Sequence, residues 1–140
     1  MEEVSIHRKN EDFVKILGKI EILKMKKGEF MSAKRYKDAQ EAILKLDTIG
    51  SVKDLEGVKY IGKRMVEILT EYETTGKVDY LEKEKLNPVN TFSNIYGIGY
   101  INAQKLVANG IKTIDQLREN QDQYLNEKQK IGLKYYEDIL

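Results

Sequence analysis

Apolar residues along this chain recur at steps of three and four, the period of helices with one buried face. Phe13, Leu17, Ile20 and Leu23 mark such a face from Glu11 to Lys26. Asn10 stands where a cap belongs, Glu11 and Asp12 suit the positive end, and Gly28 stops the run. From Phe30 to Leu46 the stripe is Tyr36, Ala39, Ile43 and Leu46, with Lys34, Arg35, Lys37 and Asp38 around it. Ile49-Gly50 turns the chain, and Ser51 with Asp54 makes a capping box for a short helix closed by Gly57. Met65, Leu69 and Tyr72 are the stripe predicted for Lys63 to Thr75, which Gly76 ends. Lys77 to Lys85 is charged and reads as a hinge between two subdomains. Asn87-Pro88 starts a helix that runs to Asn94. A further helix carrying Ile101, Leu106 and Val107 ends at Gly110. Thr113 with Gln116, and Asn126 with Gln129, are capping boxes for two more, the last reaching about Ile139. No segment alternates with period two, so the fold class is all-α: a disordered tail over 1–9, a helical subdomain over 10–83 and a second over 84–140.

Two short phrases interrupt this pattern in the same way. Ile95-Tyr96-Gly97-Ile98-Gly99 and Val58-Lys59-Tyr60-Ile61-Gly62 share an apolar residue, two variable positions, an apolar residue and a glycine, each just before a helical run. Glycine corners let the main chain approach a ligand closely and leave the first amides of the following helix unpaired. Those amides and the positive end of the helix suit a phosphate. Two such hairpins on one chain imply two grips on one nucleic-acid strand. Lys59, Lys63 and Arg64 flank the first set of amides, Tyr60 and Tyr100 stand next to the corners as candidates for sugar or base contacts, and Lys105 and Lys112 continue a phosphate track from Gly97. The bland alternatives are a plain turn between helices and a solvated charged face.

Composition limits the rest. With 41% hydrophobic and 34% charged residues over 140 positions, the chain is expected to fold and stay in solution. Lys+Arg 24 against Asp+Glu 23 leaves a net charge of +1, so attraction for a polyanion has to come from local patches. No cysteine is present, which excludes disulfides and thiolate metal sites. His7 is the only histidine and lies near a terminus, which argues against a histidine triad or zinc site. No apolar run approaches membrane-spanning length and Met1-Glu2-Glu3-Val4 is no signal peptide, so the expected setting is intracellular, nuclear or virus-encoded, without a membrane partner.

From roughly Asn10 to its end the chain resembles the N-terminal region of family X DNA polymerases, the group of the beta and lambda enzymes. Four phrases in order carry the resemblance: Ile61-Gly62-Lys63-Arg64-Met65 with Thr75-Gly76-Lys77; Tyr96-Gly97-Ile98-Gly99; Asn109-Gly110-Ile111-Lys112-Thr113 with Asp115-Gln116-Leu117-Arg118; and Gln129-Lys130-Ile131-Gly132-Leu133-Lys134-Tyr135-Tyr136. The resemblance implies a lyase-type subdomain holding the first helix-hairpin-helix and a second subdomain that grips primer-side duplex. The implied role is gap filling in base excision repair, on gapped or nicked double-stranded DNA, as a monomer. It further implies a monovalent cation, Na+ or K+, at each hairpin, held by the carbonyls of Glu56, Val58 and Ile61 and of Ser93, Ile95 and Ile98. The phosphate-facing amides fall on Tyr60, Gly62 and Arg64, and on Gly97, Gly99 and Asn102. Backbone amides read no base edge, so binding is expected to ignore sequence.

The chain also departs from the family. Members with 5′-deoxyribose-phosphate lyase activity use a lysine amine as a Schiff-base nucleophile, and the matching position here is Ile68. The family's basic phosphate-pocket positions fall on Met31, Ser32 and Glu56, whereas Tyr36 and Arg64 are kept. Tyr60 replaces the first glycine of the first hairpin. The polymerase carboxylates and their Mg2+ belong to a palm beyond Leu140, so the chain reads as a piece of a longer polymerase or as a separate DNA-binding protein. Two alternatives stand beside DNA binding: a lyase using a relocated lysine (Lys34, Lys37, Lys59 or Lys63), and a helical protein-interaction module with no DNA role.

Overall fold

The structure, a computed structural model, describes residues 9 to 138. His7 and the other residues of the expected tail lie outside them, except Lys9, which opens the first helix and pairs with Glu73 at 3.1 Å. The elements, in order, are α1 (Lys9–Lys26), α2 (Phe30–Leu44), a 3-10 turn (Val52–Leu55), α3 (Lys63–Thr75), α4 (Asp79–Lys85), α5 (Pro88–Ser93), α6 (Tyr100–Ala108), α7 (Ile114–Glu119), α8 (Gln121–Tyr124) and α9 (Glu127–Asp138). The described residues are all-helical, without strands, as the periodicity predicts. Among them no helix is long and apolar enough to cross a membrane. The chain divides into two compact units between Leu81 and Glu82.

In the first unit α1 packs along α2, and Phe13, Leu17, Ile20, Ala39, Ile43, Leu55, Ile68 and Leu69 form the centre of the core. The ring of Phe13 meets that of Tyr72 edge-on at 6.5 Å. Asn10 is not the cap of α1. It is 1% exposed, and its amide nitrogen donates to the carbonyls of Ile43 (3.3 Å), Leu46 (3.3 Å) and Asp47 (3.1 Å), while its Oδ1 accepts from the Ile49 amide (3.2 Å). The end of α2 leaves carbonyls without intrahelical donors, and Asn10 supplies them. The Ser51–Asp54 box forms as expected, but around a single 3-10 turn: Ser51 Oγ accepts from Lys53 and Asp54 from the Gly50 amide at 2.7 Å. Lys77 to Lys85, expected to be a charged hinge, is helical from Asp79. Val78 and Leu81, three apart, are buried in the first core, and Glu71 accepts the Asp79 amide at 2.7 Å.

The second unit closes around Phe92, Ile95, Ile98, Ala103, Leu106, Leu117 and Leu133. Asn87 caps α5 through the Val89 amide (3.0 Å), with proline in the first turn. Thr113 accepts from the Gln116 amide, but Gln116 reaches back to the amide of Lys112 and not to that of Thr113, one residue off the expected box. The Asn126–Gln129 box is reciprocal, at 2.8 and 2.9 Å. The short α8 has no apolar period of its own and was not expected.

Candidate nucleic-acid interface

The first hairpin joins the 3-10 turn to α3, and the second joins α5 to α6. Each position of the first corresponds to one 37 residues later, Gly62 to Gly99 and Tyr60 to Gly97, and the hydrogen bonds repeat with the letters. Val58 donates to Leu55 as Ile95 does to Phe92 (3.1 and 3.0 Å), Ile61 to Val58 as Ile98 to Ile95 (3.1 and 3.0 Å), and Val66 to Gly62 as Ala103 to Gly99 (3.1 and 2.9 Å). The side chains of Leu55, Phe92, Ile95 and Ile98 are buried, so each corner is pinned from inside.

What remains is a row of unpaired main-chain groups. Among the described residues no protein acceptor takes the amides of Tyr60, Gly62, Lys63 and Arg64, or those of Gly97, Gly99, Tyr100 and Asn102. Gly62 and Gly99 are the N-caps of α3 and α6, extended at φ −86 and −82, a conformation open to any residue. A Cβ at either would meet nothing within 4 Å. Neither folding nor packing therefore requires glycine there. Gly97 differs, since its φ of 89 favours glycine. Tyr60, the counterpart of Gly97, holds φ 76 without being glycine, at a cost of about 1–2 kcal/mol.

The second hairpin is braced by α9. Gln129 donates to the Gly97 carbonyl at 3.1 Å, and Gly132 lies so close under the hairpin that a Cβ would stand 2.0 Å from the Tyr96 oxygen. The phrase around Gln129 to Leu133 thus serves to seat the corner.

Comparison with known proteins follows the same division. A helix-hairpin-helix domain family matches residues 8–78, and the fingers domain of DNA polymerase lambda matches residues 90–140. DNA polymerase lambda of Arabidopsis thaliana is 36% identical over 135 residues, 93% of this chain and 25% of that protein. The chain belongs to the helix-hairpin-helix family, in the form of the N-terminal region of family X DNA polymerases. DNA polymerase type-X family protein pol4 of Schizosaccharomyces pombe is 28% identical over 135 residues, covering 93% of this chain and 26% of its own length. DNA nucleotidylexotransferase of Xenopus laevis is 30% identical over 95 residues, 65% of this chain and 19% of that protein. The chain spans about a quarter or less of the length of these relatives. The expectation of an all-helical helix-hairpin-helix region of the family X type stands with the match.

Within this family X frame the expected site residues fall into distinct environments. Lys59, Lys63 and Arg64 are exposed beside the first set of bare amides. The Lys59 ammonium lies 5.1 Å from the Tyr60 ring centroid, and Arg64 pairs loosely with Glu67 at 3.7 Å. Asn102 and Lys105 are exposed on α6 and line a hollow of about 400 Å³ with Asn109, Tyr124 and Gln129. Lys112 is exposed, its amide held by Gln116.

The tyrosines divide between core and surface. Tyr36 is 8% exposed and sits in the first core, so its ring is no open DNA surface. Burial pushes its phenol upward in pKa, a shift that Lys24 and Arg64 partly offset. Tyr100 is half-buried against the second core. The exposed tyrosine of that hairpin is Tyr96, 59% open, with Lys128 5.1 Å from its ring centroid. Tyr96 was missed because the sequence does not show which of two tyrosines at a corner turns inward.

Of the carbonyls matched to the family's cation sites, Val58 and Ile95 each accept one amide, whereas Glu56, Ile61, Ser93 and Ile98 accept no backbone N–H among the described residues. The same carbonyls in both hairpins are therefore open to a further partner. Ile68, at the lyase lysine position, is 2% exposed in the core. Of the substitute amines, Lys34 is held charged: its bond to Asp38 at 3.0 Å raises its pKa, opposite to what a Schiff-base nucleophile needs.

Proposed function

We propose that this region binds gapped or nicked double-stranded DNA through its phosphates, independent of base sequence, as the N-terminal part of a family X polymerase acting in gap-filling repair. The observation that carries the reading is the pair Gly62 and Gly99: two equivalent corners keep glycine where backbone conformation and packing leave room for any residue. Space kept clear beside bare helix-start amides is what a phosphate oxygen needs. Lys59, Lys63 and Arg64 add charge at the first corner. The Glu56, Val58 and Ile61 carbonyls, and those of Ser93, Ile95 and Ile98, would hold a monovalent cation, which supplies positive charge beside the bound phosphate. The chain acts as a monomer in this reading.

The experiment is a fluorescence-anisotropy titration of a labelled gapped duplex at several salt concentrations and in two unrelated sequences. Affinity is expected to fall steeply from about 50 to 200 mM salt, each neutralised phosphate adding about 0.9 to the log–log slope. The two sequences are expected to bind alike. Salt-independent affinity, or a strong preference for one sequence, would refute the proposal.

A further inference from the structure

Tyr60 keeps a backbone conformation that its counterpart in the second hairpin meets with glycine, and it is the only non-glycine residue at positive φ among those described. Packing does not explain the choice. The side chain is 55% exposed, and the Lys59 ammonium lies 5.1 Å from its ring centroid. The residue also forms a shared wall of two hollows on the flank of α2. One, of about 320 Å³, is lined by Arg35, Asp38, Ile61, Gly62 and Met65. The other, of about 310 Å³, is lined by Asp38, Glu41, Lys45 and Lys59 among others. A strained, exposed aromatic that the fold does not require points to a ligand.

We infer that the Tyr60 ring is a stacking platform for an unpaired nucleotide, so that the first hairpin favours gaps and strand ends over continuous duplex. The inference rests on the phosphate-binding reading above. A phosphate seated on the amides of Tyr60 and Gly62 brings the attached nucleoside to the same corner as the ring. In an unbroken duplex each base is covered by its neighbours and offers the ring no face. An unpaired base does, and an aromatic side chain accepts any base, so sequence independence is retained. The second hairpin has Gly97 at this position and so carries no ring there; its exposed Tyr96 lies one residue earlier.

The test compares the chain with Tyr60→Gly and Tyr60→Phe on a gapped duplex, a single strand and an unbroken duplex of equal length, by anisotropy, together with thermal unfolding. Tyr60→Gly is expected to unfold at a higher temperature because the strain is gone. It is also expected to weaken gapped and single-stranded DNA by roughly 5- to 100-fold while leaving unbroken duplex within about twofold. Tyr60→Phe is expected to bind every probe within about twofold of the unmodified chain. If Tyr60→Gly binds gapped DNA unchanged, or weakens all three probes alike, the platform is refuted and backbone binding stands. If the unmodified chain binds none of the probes, both fall.

Discussion

Replacing Gly99 with serine separates a glycine kept for folding from one kept for a ligand. At φ −82 and ψ 176 the backbone already suits an L-residue, and the new Cβ enters open space. Serine is the better N-cap by a few tenths of a kcal/mol, and losing a glycine from the unfolded chain adds about 0.4–1 kcal/mol. The second unit is therefore expected to gain stability, a rise of a few degrees in its unfolding midpoint. Binding is expected to move the other way. The side chain occupies the approach to the Gly97 and Gly99 amides, and its hydroxyl takes up a first-turn amide of α6 for itself. Each hydrogen bond to a charged phosphate contributes about 1.5–3 kcal/mol, so losing one weakens gapped-DNA binding about 10- to 100-fold. Anisotropy and thermal unfolding on one preparation read both quantities. A Gly99→Ser chain that binds as before would show that no phosphate sits at that corner. A marked fall in stability would show that the glycine is structural after all.

Other substitutions probe the support of the site. Gly132→Ala places a methyl group 2.0 Å from the Tyr96 carbonyl, and overpacking of this kind costs about 1–3 kcal/mol or more. Unlike Gly99→Ser it is expected to lower both stability and DNA affinity, since α9 carries Gln129 away from Gly97; unchanged thermal unfolding would contradict the close packing. Tyr36 gives a pH signature: with its folded pKa raised above the ordinary 10.0, its contribution to stability is full below pH 10 and is lost as pH rises through the folded value. Tyr36→Phe is expected to flatten that alkaline loss in melts taken around pH 9 to 11, and an unaltered profile would remove Tyr36 as its source. Borohydride treatment with DNA bearing a 5′-deoxyribose phosphate is expected to trap no covalent adduct, because Ile68 stands at the nucleophile position; an adduct would establish a relocated lysine.

Helix existence and core faces were legible because Phe13, Leu17, Ile20, Ala39, Ile43 and Leu69 follow a regular period and all are buried. The corners were legible from glycine spacing, but their division of labour was not. Spacing places Gly97 and Gly99 side by side without telling that φ favours glycine at the first and not at the second. Asn10 read as a cap because asparagine before a helix usually is one, whereas its partners lie 33 to 39 residues away at the end of α2 and the turn after it. The helix α4 was hidden by its charges, since only Val78 and Leu81 betray a buried side. Tyrosine fits core and surface equally well, which is why Tyr36 read both as part of the buried stripe of α2 and as a DNA-facing residue, and why Tyr96 was overlooked.

The most direct measurement is the amide spectrum of the 15N-labelled chain titrated with a gapped duplex. If main-chain N–H groups at the two corners hold phosphates, the largest shifts fall on Tyr60, Gly62 and Arg64, and on Gly97, Gly99 and Asn102, with the glycine signals moving downfield as they gain a charged acceptor. Binding that leaves the Gly62 and Gly99 amides in place while signals elsewhere move would contradict it.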